Sequence, residues 1–196
     1  MEDNSKKIIL DLCGGTGSWS KFYRAAGYDV RLITLPDCDV RSYIPPKNVY
    51  GILAAPPCTE FSIAKERYGR DLAKGLEIVE SCLRIIWLCR LDNKIRFWAL
   101  ENPTGYLRQF LGRPALSFEQ WQYGDNGYKP TDIWGYFNIP KVKKTVRPVG
   151  LKKTEFYSDN ELPKDYELPP DMTRRRQVLR AMTPPGFAKA FYRANK

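Results

Sequence analysis

Cys58 stands where an apolar run meets two prolines, in Ala54-Ala-Pro-Pro-Cys-Thr-Glu-Phe-Ser62. The run Tyr50-Gly-Ile-Leu-Ala-Ala55 reads as a buried strand, and the prolines end it because neither can donate to a sheet ladder. The thiol is therefore held just past a strand's carboxyl end, where open α/β sheets place their ligands. A thiol so placed is a candidate nucleophile; the alternative is a buried, inert cysteine, the usual fate of a free one. A second strand, Arg96-Phe-Trp-Ala-Leu100, ends in the same manner at Glu101-Asn-Pro103. Two such endings side by side in a parallel sheet bring Cys58 and Glu101 toward one pocket. A carboxyl raised in pKa by burial can hold a proton for a reacting group. Taken alone, Glu101 also reads as an acid near a helix start, stabilised by the dipole.

The elements that position these groups begin with Lys7-Ile-Ile-Leu-Asp-Leu12, a first buried strand. Cys13-Gly-Gly-Thr-Gly-Ser18 follows as a tight turn, and Trp19 to Ala26 as a helix ended by Gly27. Strand, glycine turn and helix make a nucleotide-type site, since glycines let a ligand approach the backbone and a helix start exposes free N–H groups. The spacing is not Gly-x-Gly-x-x-Gly and no P-loop lysine follows, which weakens a phosphate-binding reading. Asp29 to Leu35 is the second strand. The stretch Pro36 to Pro46 leaves little room for a helix before the strand at 49–55. Asp37 and Asp39 lie near the second strand's carboxyl end, where a carboxylate can accept from a ribose or an adenine amino group. A turn aspartate bonding its own backbone is the other reading, above all for Asp37.

Beyond Cys58, the polar stretch Thr59 to Arg70 has the length of a lid. Asp71 to Arg90 is an amphipathic helix, with Leu72, Leu76, Val79, Leu83 and Ile86 at steps of four and three. Cys82 and Cys89 lie near its apolar face and read as packing. Ser117 to Gln122 and Thr131 to Phe137 read as strands joined by the turn Gly124-Asp-Asn-Gly127, and Thr183-Pro-Pro-Gly186 caps a last helix, Phe187 to Ala194.

Composition bounds the function. A chain of 196 residues with 28% charged residues is a single globular domain with a small appendage at most. A net charge of +10, with basic residues crowding the C-terminal third, favours a polyanionic partner such as nucleic acid; a solvated basic face is the plainer reading. The chain has no histidine, and its five cysteines form no Cys-x-x-Cys pair. A histidine-based hydrolase is excluded, and no metal site is expected. Unpaired cysteines point to a reducing compartment, and the polar start is no signal peptide. The longest apolar run, near Ile85 to Cys89, is too short for a membrane span.

Together these pieces resemble the DNA cytosine-5 methyltransferase family. Asp11-Leu-Cys-Gly-Gly-Thr-Gly17 looks like its first motif, the turn holding S-adenosylmethionine. Asp39-Val40 resembles the acid that meets the adenine. Pro56-Pro-Cys-Thr-Glu-Phe-Ser62 is close to the nucleophile motif Pro-Cys-Gln-x-Phe-Ser. Glu101-Asn102-Pro103 stands where the family has Glu-Asn-Val. Gln122-Tyr-Gly124 resembles the opening of the motif with base-contacting arginines, and Thr183-Pro-Pro-Gly-Phe-Ala188 the last motif, which returns to the cofactor site. The six occur in the family's order between residues 8 and 192.

The resemblance implies a Rossmann-like class I S-adenosylmethionine-dependent methyltransferase. Its α/β fold has a mostly parallel sheet with helices on both faces, shortened between strands 2 and 4. It implies a catalytic core at 1–140, a small basic target-recognition or loop region at 141–171, and a C-terminal helix returning to the core at 172–196. The catalytic residues implied are Cys58, Glu101 and Lys129. Asp11, Cys13, Gly14, Gly15, Thr16, Gly17, Ser18, Trp19, Asp39 and Pro56 would hold the cofactor. The partner implied is duplex DNA with its target cytosine flipped out, met by a monomer in the cytoplasm of a bacterium or a phage-infected host. Compact enzymes of this kind are similar to those carried by bacteriophages. Three departures stand out: Lys129 and Thr131 replace the paired arginines, the region before Asp39 is shortened, and the recognition region is small. An RNA cytosine-5 methyltransferase and a catalytically impaired homologue that binds cofactor and DNA are the alternatives.

Overall fold

Alternation of apolar residues along four central strands produces two cores, one on each face of a single sheet. The computed structural model describes residues 3–63, 65, 69–91, 95–151 and 175–196, with side chains from 178 in the last segment. Residues 152–171 of the expected recognition region, and 172–174 after it, lie outside the described residues. The strands are β1 (Ile8–Leu12), β2 (Asp29–Ile33), β3 (Val49–Ala54), β4 (Phe97–Pro103), β5 (Leu116–Phe118) and β6 (Thr131–Tyr136). The helices are α1 (Lys21–Ala25), α2 (Leu72–Leu91), α3 (Arg108–Leu111), α4 (Arg175–Ala181) and α5 (Pro185–Ala194).

The sheet runs β2-β1-β3-β4-β6-β5. The pairings from β2 to β4 are parallel, and β6 is antiparallel to both β4 and β5. The protein is thus a mixed α/β fold with a mostly parallel six-stranded sheet, compatible with a Rossmann-like arrangement. Leu10, Leu12, Ile52, Ala54, Leu100 and Trp134 face α2, packing with Val79, Cys82, Ile85, Ile86 and Cys89. Ile9, Leu53, Phe97, Ala99 and Ile133 face the other way, against Tyr23 of α1 and Phe187 and Phe191 of α5. This period of two is what a strand buried on both faces requires. β2 is an edge strand, and no helix stands in the link from β2 to β3, as the short sequence there led us to expect.

Three expectations are corrected. The strand predicted at 117–122 stops at Phe118, and Gln120–Tyr123 forms a 3₁₀ turn. Glu119 and Gln122 make a reciprocal capping box there, with the Glu119 N–H donating to Gln122 Oε1 at 2.7 Å, so local capping overrides the strand pattern. β4 does not end before Glu101 but runs on to Pro103, because β6 continues the ladder after β3 has stopped at Ala54. Pro103 is tolerated since Thr104, not Pro103, donates toward β6, bonding Pro130 O at 2.9 Å. The first helix is shorter than 19–26, starting at Lys21 after a series of turns.

The C-terminal helix is tied in from both ends. Its start has no side-chain cap of its own; instead the Asp125 carboxylate accepts from the Gly186 N–H at 2.9 Å and the Phe187 N–H at 3.3 Å. At its end, Asn195 Nδ2 donates to Asn138 O and Tyr23 OH to Asn195 O. No helix among the described residues is long and apolar enough to cross a membrane.

Phe187 is fully buried, stacked on Phe118 with centroids 4.1 Å apart and flanked by Trp19, Tyr123 and Phe191. Phe187→Ala leaves a cavity that these rings cannot fill. We expect a loss of about 3–5 kcal/mol of stability, measured by urea unfolding with an unchanged m-value.

Candidate active site

Strand order reverses between β1 and β3, and the chains leaving their carboxyl ends carry the glycine turn and Cys58. The two exits are adjacent: the Ala55 N–H donates to Leu12 O at 2.9 Å. In an open parallel sheet this is where a ligand crevice forms.

The glycine turn is built around a buried acid. Asp11 lies under Gly14 so closely that a Cβ at Gly14 would meet the carboxylate at 2.4 Å. The Ser20 hydroxyl donates to Asp11 Oδ2 at 2.5 Å. Gly15 and Gly17 take φ of +54° and +68°, and nothing lies within 4 Å of where a Gly15 side chain would begin. The Gly15 N–H donates to Thr34 Oγ1 at 3.3 Å, tying the turn to the end of β2. Ser18 is buried, and its Oγ accepts from the Thr183 N–H at 2.8 Å, which brings the C-terminal segment onto the turn. Thr183 opens the segment that resembles the family's last motif, and Thr34, at the end of β2, joins it at this corner.

Three buried polar atoms here have no partner among the described residues: Asp11 Oδ1, Thr16 Oγ1 and Trp19 Nε1. An acceptor, a hydroxyl and a donor left over beside an open glycine backbone fit a cofactor that carries both an amine and a carboxylate. Trp19 otherwise packs in the core, with centroids 5.4 Å from Phe191 and 6.1 Å from Phe187. Cys13 has φ of +56°, and its Sγ lies 4.0 Å from Cys82 Sγ.

Asp39 behaves differently from the rest of the expected cofactor set. Its carboxylate accepts from the Arg41 backbone N–H at 2.9 Å and from the Arg41 guanidinium at 2.6 Å, which holds its pKa below the usual range. This is the turn arrangement weighed for Asp37, made by Asp39 instead. Arg84 fixes the same stretch by donating to Val40 O, Arg41 O and Tyr43 O.

The Cys58 loop is anchored to the end of β4 at three points. Asn102 Nδ2 donates to Pro56 O at 3.0 Å. The Tyr106 N–H donates to Phe61 O at 2.9 Å, and Ser62 bridges Gly105. A Cβ at Gly105 would meet Phe61 O at 2.3 Å, so the two backbones pack without a side chain between them. The described part of the expected lid is also tied down. Arg70 donates to Glu60 O at 2.8 Å, Ser62 O at 2.9 Å and Lys65 O, and lies over Tyr106 at 4.7 Å. The Glu60 carboxylate is engaged with Lys65 Nζ and the Asp71 N–H, and so takes a structural role.

Cys58, Glu101 and Lys129 share one electrostatic neighbourhood. Burial pushes the Cys58 thiol up; the Lys129 ammonium pulls it down, the Glu101 carboxylate pushes it up, and Arg180 pulls it down. Burial also pushes the Glu101 carboxyl up, against the pull of Lys129 and with a push from Asp132. Both residues keep some open surface, yet protein surrounds the sulfur and the carboxyl on most sides, and that local packing governs their protonation. Lys129 is half-buried, and its Nζ donates to Arg180 O at 3.3 Å. Arg180 is the residue that sequence reasoning missed. It was visible only as one of several basic residues in the C-terminal third. Thr131 is buried and turned inward, its Oγ1 donating to Lys129 O at 2.9 Å.

This arrangement places a thiol, a carboxyl raised by burial and an ammonium within electrostatic reach of one another, with an open glycine turn on the adjoining strand. No protein-family model matches the chain, and no curated protein matches it.

Two measurements test the electrostatics. Burial pushes the Asp11 carboxyl from 3.8 up to about 6. Between these values the unfolded chain ionises while the folded one stays protonated, so stability is full below 3.8 and falls as pH rises through 6, by about 3 kcal/mol. Asp11→Asn should remove this fall, so urea unfolding of the variant and the wild type should diverge by about that amount between acid and neutral pH. Lys129→Ala should move the pH profile of Cys58 alkylation by iodoacetamide to higher pH, read by mass spectrometry of the labelled peptide.

Proposed function

We propose that the protein is a DNA (cytosine-5)-methyltransferase built on a shortened class I methyltransferase sheet. The observation that carries this reading is the mutual electrostatic influence of Cys58, Glu101 and Lys129 at adjacent strand ends, next to the glycine turn. The edge position of β2 and its helix-free link to β3 support the shortened sheet. Asp11, Thr16 and the open backbone of Gly15 would hold S-adenosylmethionine, which would supply an electrophilic methyl group.

C5 of cytosine is a poor nucleophile until the ring is made electron-rich. The Cys58 thiolate adds to C6, forming an S–C6 bond and pushing the ring's electron pair toward N3 and O2. Glu101, kept protonated by burial, donates its proton to N3. Lys129 stabilises the charge at O2 and favours the thiolate in the free site. C5, now nucleophilic, would take the methyl group as the donor's methyl–sulfur bond breaks and its electron pair stays on the donor sulfur. The C5 proton then leaves to water, its bond pair restores the C5–C6 double bond, the S–C6 electrons return to Cys58, and the N3 proton returns to Glu101. Because C6 is unreachable in a stacked duplex, the base must leave the helix to meet Cys58. The net charge of +10 suits a DNA partner.

A second reading is favoured by Thr131. Its inward, bonded hydroxyl leaves Lys129 without a charged neighbour at that position of the strand, as in a homologue that binds cofactor and DNA with little turnover. Tritium transfer from labelled S-adenosylmethionine to duplex DNA separates the two readings.

The decisive experiment is covalent capture on duplex DNA containing 5-fluorocytosine, with S-adenosylmethionine present. Wild type should form a denaturation-resistant adduct and Cys58→Ser none; an undiminished adduct in Cys58→Ser removes the thiol from the mechanism. Glu101→Gln should slow methyl transfer by about 10²–10⁴-fold while leaving DNA binding in place. Transfer to tRNA in preference to duplex DNA would move the substrate to RNA.

A further inference from the structure

Two cations act electrostatically on the Cys58 thiol, and they differ in depth. Lys129 is half-buried and acts on both Cys58 and Glu101. Arg180, near the end of α4, is exposed and acts on Cys58 alone, less strongly than Lys129. The bond from Lys129 Nζ to Arg180 O fixes the end of α4 at the rim of the site. Among the described residues the Arg180 guanidinium has no ion pair or hydrogen-bond acceptor. Other arginines near the site are engaged: Arg108 holds Asp132 through two nitrogens, Arg70 holds three carbonyls, and Arg147 lies over the Tyr128 ring.

About half to two-thirds of protein–DNA hydrogen bonds go to the phosphate and sugar backbone, which is what an exposed guanidinium outside a base pocket is placed to meet. Its planar fork of donors matches a phosphate, which accepts two parallel N–H bonds. Further basic residues are held to the core by backbone bonds. Lys143 and Lys144 flank the 120–128 segment through backbone bonds to Gln122 O. We propose that Arg180 is a substrate-contacting residue that grips a DNA backbone phosphate next to the nucleotide held at Cys58. This inference rests on the nucleic-acid reading above. It assigns a binding contact to the C-terminal arm.

The test uses the full chain, a cytosine-containing duplex, and affinity measured across a salt series by fluorescence anisotropy. Each phosphate contact contributes a slope of about 0.9 in log K against log salt on duplex DNA. Arg180→Ala should therefore weaken binding at every sequence and lower the slope magnitude by about 0.9, whereas Arg180→Lys should keep the slope. Arg180→Gln, checked for native circular dichroism alongside Arg180→Ala, guards against a folding defect. An unchanged slope and affinity in both neutral variants overturns the contact. The 5-fluorocytosine adduct is scored in parallel at saturating DNA. If wild type forms the adduct and the neutral variants bind as wild type does, the phosphate contact fails while the methylation reading stands. If the neutral variants lose slope but wild type forms no adduct, the contact stands and the methylation reading fails. Wild type that does not bind DNA at all overturns both.

Discussion

One side-chain amide holds the site in register. Asn102 Nδ2 donates to Pro56 O and so joins the end of β4 to the Pro-Pro-Cys loop that follows β3. The pleat makes this arrangement economical. Successive residues of a strand point to opposite faces, so Asn102 anchors on one face while Glu101 is delivered to the other. The ladder that sets this alternation comes from β6, which pairs Glu101 with Ile133 and Asn102 with Asp132 beyond the reach of β3. An antiparallel strand inserted at this point of the sheet thus positions the acid of a site that otherwise belongs to the parallel strands.

Burial and charge oppose one another throughout the site. Asp11, Cys58 and Glu101 are all shifted toward their neutral forms by desolvation. For Glu101 this is an advantage, because a neutral carboxyl can donate a proton. For Cys58 it is a handicap, because only the thiolate adds to an electrophile. Lys129 resolves the conflict in part: it lowers both groups, and it is itself held by the Arg180 carbonyl. The protonation of both groups therefore depends on a cation from the strand connection before β6 and on the packing of the chain end that supports it.

Much of the frame was legible because it follows from period and punctuation. The strands at β1, β3 and β4, the long helix α2 and the helix α5 all announce themselves by apolar alternation or helical spacing and by proline or glycine at their ends. The repeated pattern of apolar run, polar residue and proline pointed to Cys58 and Glu101 together, although Glu101 lies inside β4 while Cys58 lies beyond the end of β3. What was hidden depends on contacts between distant segments. The capping box of Glu119 and Gln122 competes with a strand pattern that looks sound in isolation. The extension of β4 through Pro103 is visible only once β6 is known to lie beside it. Asp39 was read toward a ligand, yet Arg41, two residues on, takes its carboxylate. Arg180 had no motif around it, and only the bond from Lys129 to its carbonyl reveals where it lies.

The C-terminal arm also measures the site. Arg180 O is bonded to Lys129, and the Thr183 N–H to Ser18 in the glycine turn. Only two residues separate those anchors, and a chain that short spans at most about 11 Å between its α-carbons. The glycine turn and Lys129 are therefore both tied to one short stretch of the C-terminal arm. The same short tether explains why the arm is secured so firmly at its far end, by Asp125 at the start of α5 and by Asn195 at its close. Were α5 to loosen, Ser18 and Lys129 would lose their common reference, and the two halves of the site would no longer be fixed against each other.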